Sequence, residues 1–391
     1  MTSEMCTLPL FEGGPFTPLQ ASLRLTGTER RHVRNRVFAA VLATWVPLAV
    51  LAAVQGRAIG PNWSQSMLLD AAMYARYLVA LPLLILATPG IRRKLQTIVH
   101  HFEDSGLIRE PDRELFCANI AAALKRRDSL VAAVVIVALA IAKAAAIGSF
   151  SVAEMPESWR VLGTAGHRSL SLAGWWQVAV SDLIYDVVVL QLMYRLALLW
   201  RFFWKTSRLD LHLDAAHPDG AGGLAFLGLV LSAFRLPVFS IATSAAGALA
   251  NMILRMSASF ADFRYAIATF TIGLMALATG PLFFFRGQLV RAKHRATLGC
   301  GAVAGRQLRA FEEKWLGENP PEAREMLESP DFSAVCDFAQ TVMTIRKMST
   351  LPFWWKQLVP LAVAALLPFL PVAAIEIPLK EIALRLLNLV R

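Results

Sequence analysis

The sequence predicts an all-α, polytopic membrane protein of about seven spans, and three observations carry that prediction. The 391 residues are 56% hydrophobic and only 17% charged, against about 25% charged in an ordinary soluble domain. Apolar runs long enough to cross a hydrocarbon core about 30 Å thick recur along the chain. The basic residues fall on alternate loops. Too little polar surface is left to cover a water-soluble particle, and the high apolar content excludes disorder. Four cysteines do not make a disulfide scaffold.

Taken in order, the expected spans are Val37–Val54, Ala71–Pro89, Leu130–Ile147, Gly174–Leu192, Leu224–Ala250, Tyr265–Phe285 and Leu358–Ile375. The sixth is free of charge from end to end, whereas the second and third carry Arg76 and Lys143. The seventh holds Pro360, Pro368 and Pro371 and is the one expected to be kinked or re-entrant. With the N-terminus placed in the cytoplasm, the inside segments hold 28 Lys and Arg and the outside segments 8, with three more inside spans. That skew is the positive-inside pattern, so the net charge of +11 reads as a membrane signal and not as nucleic-acid binding. The order of residues in 1–36 is not that of a cleavable signal peptide. Cys6, Cys117, Cys300 and Cys336 all fall on the inside, and with no C-x-x-C pair among them reduced thiols are expected.

The expected organisation is a cytoplasmic tail (1–36) and a bundle of about six helices (37–285) with a charged cytoplasmic segment at 90–129. A cytoplasmic helical hairpin (286–357) and a last membrane segment (358–391) follow. In 90–129 helix is expected around Arg92–Phe102 and Arg113–Arg127. In the hairpin, Leu308, Phe311 and Trp315 form one stripe and Phe332, Val335, Ala339 and Val342 another. Asn319-Pro320-Pro321 breaks the first helix, and Ser329-Pro330-Asp331 opens the second. The two helices pack on each other in one reading and form an oligomer interface in the alternative. Trp354 and Trp355 suit an interfacial anchor, and Ile377–Val390 a helix lying in the outer interface.

Several stretches carry a likeness: LAGWW at 172–176, HPDGAGGLAFLG at 217–228, RAFEEKW at 309–315, ESPDF at 328–332, LAVAALLPFLP followed by IPLKEIALRLL near the C-terminus, and ARYLVALPLLILA at 75–87. In these the chain resembles a family of uncharacterised bacterial multi-pass inner-membrane proteins with an HPDxAGGL motif before a membrane span. The resemblance covers more than half the chain. It implies the topology and an inner-membrane location and supplies no chemistry. The two aspartates of the fourth span do not match its pattern.

Two groups of residues are candidate sites. Asp182 and Asp186, at i and i+4, share one face of the fourth span. Arg235 lies in the fifth at an estimated matching depth, so contact between Arg235 and Asp182 is expected, with Lys143 and Arg76 extending the cluster. An ionisable group at such depth costs roughly 3 kcal/mol unless paired or hydrated. A static ion pair and an ion pathway both meet that condition. The second group surrounds the turn His217-Pro218-Asp219-Gly220-Ala221-Gly222-Gly223. A purely structural turn capped by Asp219 is the default. An anion held by N–H groups of Gly222 and Gly223, or a metal on His212, Asp214, His217 and Asp219 with Asp210 nearby, are the alternatives.

The expected function is therefore transport of an ion or small solute along a polar path between the fourth and fifth spans. The alternatives are a membrane scaffold or signalling partner acting through its cytoplasmic helices, and a membrane-embedded metal-dependent hydrolase or transferase. No cofactor motif is present. The expected partners are the lipid bilayer, a further copy of the chain, and a cytoplasmic protein at 300–345, with no nucleic acid.

Overall fold

The computed structural model describes residues 8–11, 13–14, 30–62, 65–146, 158–163, 168–256, 258–316 and 331–376. Its helices are α1 (Arg30–Thr44), α2 (Val46–Val54), α3 (Ala71–Asp104), α4 (Glu110–Arg127), α5 (Leu130–Ala146), α6 (Leu172–Thr206), α7 (Ala225–Arg255), α8 (Phe260–Trp315), α9 (Asp331–Lys347) and α10 (Trp355–Glu376). Between α5 and α6, β1 (Val161–Leu162) and β2 (Ser169–Leu170) form a small antiparallel pair with Val161 opposite Leu170.

Six helical stretches are long and apolar enough to cross a membrane, or seven if the bent pair α4–α5 is one span. The chain is a polytopic helical membrane protein. The doubtful span is not the one the prolines marked. The last segment forms a 22-residue helix across Pro360. A short 3₁₀ turn at Leu367–Phe369 takes up Pro368, a residue with no N–H to lose there. Instead α5 is short and lies at 46° to α4. Apolar runs also understate the helices. Helix α3 continues through Pro89 to Asp104, and the sixth span runs into a 56-residue α8 of about 84 Å.

Helix α7 is the centre of the bundle. Over half of its apolar window is buried, the largest share of any span, and it packs against α3, α8 and α10. Close approach to α3 is set by small residues, since a Cβ on Gly247 would run into Ala75 and Ala72. Helix α6 packs against α3, α4 and α5, and α1 against α3. At the Lys/Arg-rich end, hereafter the basic end, Phe102, Phe116, Phe202, Phe203 and Phe285 are fully buried and touch ring to ring. Leu8, Leu10 and Phe11 join this cluster. A second cluster around Met67, Tyr77, Trp159 and Tyr185 fills the opposite end.

Helix α9 packs on α8 as a hairpin. Its contact face differs in part from the expected stripes: Trp315 and Ile345 are buried, but Leu308 and Ala339 are exposed. Trp355 is exposed, as an anchor requires. Cys117 is disulfide-bonded, against the expectation of a reduced thiol, while Cys300 and Cys336 are free. Sequence spacing reports nothing about cysteines brought together by the fold, and a disulfide on α4 runs against the inside placement on which the expectation also rested. Cys6, the 319–321 break, Ser329-Pro330 and Ile377–Val390 lie outside the described residues.

Candidate functional site

The buried charges of the bundle form layers along α7. In the middle layer, Asp182 at the start of the regular part of α6 is buried. Its Oδ1 accepts from Arg76 Nη1 at 2.6 Å and from the Tyr77 hydroxyl at 2.8 Å, and its Oδ2 accepts from Gln177 Nε2 at 3.3 Å. Arg76 also donates through Nε to Ser244 Oγ of α7 at 3.3 Å and lies over the Tyr185 ring. Three spans thus meet at one ion pair.

Both helices that carry the pair leave α-geometry at this level. Residues Tyr74–Ala80 of α3 form a π turn, closed by Leu81 N–H donating to the Arg76 carbonyl. Pro82 follows and has no N–H for the preceding turn, so the wider ladder costs little there. In α6, Gln177–Ser181 form a π turn, with Asp182 N–H donating to the Gln177 carbonyl. Such turns are rare and gather at functional sites.

The expected contact between Arg235 and Asp182 does not form. The α7 residue that reaches this layer is Ser244, and Arg235 lies nine residues away, about 13 Å along the axis. Helix α7 is longer than the hydrocarbon core, so depth counted from Leu224 placed Arg235 too far in. Arg235 makes no ion pair among the described residues, and its buried Nε has no partner. It stands within electrostatic reach of Lys94, whose Nζ donates to the Ser232 carbonyl at 2.9 Å.

Asp186 pairs separately. Lys143 Nζ donates to its two oxygens at 2.7 and 2.8 Å. Lys143 is half exposed and sits three residues from the end of α5, where a long side chain reaches the interface. Asp182 and Asp186 therefore share a face of α6 but serve different neighbours, α3 and α5.

The third layer was missed from sequence. Asp70, the N-cap of α3, is fully buried and accepts five hydrogen bonds. Oδ1 receives Asn251 Nδ2 at 2.6 Å and Met73 N–H at 3.3 Å. Oδ2 receives Trp159 Nε1 at 2.8 Å, Arg255 Nη2 at 3.0 Å and Arg160 Nη2 at 3.2 Å. An aspartate before an apolar run reads as a cap, which it also is. The available signal was Asn251 and Arg255 at i and i+4, ending the fifth span at the same side as Asp70.

At the basic end, the 217–223 turn is present with Gly220, Gly222 and Gly223 at positive φ. Asp219 Oδ1 accepts from Ala221 N–H at 2.8 Å and Gly223 N–H at 3.1 Å, and Oδ2 from Ala225 N–H at 3.0 Å. Burial pushes this carboxyl up, but the N–H groups of Ala225, Ala221 and Gly223, with His217, outweigh it and hold the group below the usual carboxylate range. Of the nest expected at Gly222 and Gly223, the Gly223 N–H is thus taken by the chain's own carboxylate. Gly222 faces Met348, and the Gly220 carbonyl accepts from Ser349 N–H at 2.7 Å, which fastens the turn to the chain before α10.

Of the metal candidates, His217 Nδ1 and Asp219 Oδ1 touch at 2.9 Å, and the others are engaged elsewhere. Asp210 pairs with Arg109 at 2.8 Å, Asp214 Oδ1 accepts from Ala216 N–H, and the His212 backbone N–H donates to the Leu107 carbonyl. Among the described residues no three His, Cys, Asp or Glu side chains are placed to share a metal ion. Beside them lies a cleft of about 780 Å³, bounded by the 207–216 loop, α8 and α9. A comparison with known protein families, curated proteins and solved structures finds no match for this chain.

Proposed function

We propose that this protein transports an ion or small solute across a bacterial inner membrane, with its N-terminus and basic end in the cytoplasm. The observation that supports this is the Arg76–Asp182 pair, set between two π turns and tied to a third span. An intramembrane carboxylate is costly and marks ion and proton pathways, and the wide turns give its two helices a ladder that can rearrange. The path runs along α3, α6 and α7, with Asp182 as the group whose charge state is coupled to passage and Arg76 as its counter-ion. The Lys and Arg bias of the loops supports the orientation.

The test is flux through liposomes holding the purified protein. Asp182→Asn abolishes uptake or conductance, and Arg235→Gln leaves it in place. Equal flux in wild type and Asp182→Asn contradicts the reading.

One observation favours a second reading. Each oxygen of Asp182 has a donor, which also suits a lock that holds a scaffold or signalling protein together. On that reading no flux occurs, and deletion of 300–345 releases a co-purifying partner. The metal-dependent enzyme has no ligand set among the described residues.

A further inference from the structure

We infer that the cleft between the 207–216 loop, α8 and α9 binds a phosphate-bearing anion. Its volume of about 780 Å³ lies within the range of small-molecule sites, roughly 300–1,000 Å³. Four arginines and two aspartates line it. The aspartates are already engaged, Asp210 by Arg109 and Asp214 by the Ala216 N–H. Arg291 and Arg295, one turn apart on α8, have no ion pair among the described residues, nor has Arg208, whose guanidinium is held over the Trp204 ring at 4.5 Å. Three guanidinium groups that make no ion pair among the described residues therefore border one cavity, against one carboxylate, that of Asp214, which is held by an N–H group and not by a cation.

The wall opposite α8 is built in advance. Gln288 Nε2 donates to the carbonyls of Ser207 and Leu209 at 2.7 and 2.6 Å, and Leu211 bridges Ile108. A ligand entering there orders little chain, so less of its binding energy is lost. Phosphate suits the set because it offers three acceptor oxygens and up to two charges to planar donors. Ala292, Ala296 and Ile345 give the rest of the ligand an apolar floor.

Two sources share this chemistry. Arg291 is six residues past Phe285, where the apolar 3₁₀ turn of α8 ends. That is about 9 Å, near the depth of a lipid headgroup. A lipid phosphate and a soluble phosphate ester both reach it. The inference is independent of the transport reading, because binding is measured without flux.

The test uses the full chain in nanodiscs of neutral phosphatidylcholine. Calorimetry with glycerol phosphate reports the soluble source, and native mass spectrometry after brief exposure to phosphatidylglycerol reports the lipid source. Saturable binding of either probe, weakened at least tenfold in Arg291→Gln/Arg295→Gln, is expected. Ala296→Phe fills the floor without changing charge and is expected to weaken the same probe. Loss in both variants with unchanged thermal unfolding supports the site. Binding of neither probe, or equal binding in wild type and both variants, overturns it.

Discussion

The arginines of the Asp182 and Asp70 layers and those around the cleft stand in opposite circumstances. Arg76 is matched by Asp182, and Arg160 and Arg255 share Asp70. Arg208, Arg291 and Arg295 line a large opening and make no ion pair among the described residues. The medium accounts for the contrast. In a low-dielectric interior an unmatched charge costs several kcal/mol, whereas at the basic end water solvates it at little cost. Pairing inside the bundle therefore reads as stability and coupling, and its absence in the cleft reads as capacity for a ligand.

Substitutions that unpair the interior break this contrast most severely. Asp70→Ala leaves two guanidinium groups facing each other and is expected to cost about 3–5 kcal/mol, read as a fall in thermal unfolding temperature in detergent. Asp219→Ala removes three N–H partners, worth about 1–2 kcal/mol as a helix cap. Because folding depresses the Asp219 pKa, its stabilisation is present above the unfolded value of about 3.9 and is lost as pH falls through the folded value. The gap between wild type and Asp219→Ala is thus full at pH 7 and closes below about pH 4. Gly222→Ala forces a side chain into positive φ against Met348 and is expected to cost about 1 kcal/mol. Arg291→Gln/Arg295→Gln touches no ion pair and should leave unfolding within about 0.5 kcal/mol. A large loss of stability there would dissolve the comparison.

Sequence reading recovered the membrane class because hydropathy needs no partner to be legible. It also marked Arg76, Asp182, Asp186 and Lys143, since charge within an apolar run is conspicuous. What it misassigned was pairing. Depth counted from span ends failed because helix α7 outruns the hydrocarbon, so Arg235 fell about 13 Å from the layer it was meant to reach. Asp70 stayed hidden because its partners come from residues 159, 160, 251 and 255, and only the fold joins them. The cleft was equally illegible, as its walls come from three segments distant in the chain. The 217–223 turn, by contrast, was readable, because glycine at positive φ and an aspartate cap are local requirements.

The most direct measurement is a pair of double-mutant cycles on unfolding, one combining Asp182→Asn with Arg76→Gln and the other combining it with Arg235→Gln. The pairing of Asp182 with Arg76 predicts a coupling of about 1–3 kcal/mol between those two residues, and one within about 0.5 kcal/mol between Asp182 and Arg235. A strong coupling to Arg235 with none to Arg76 would contradict it.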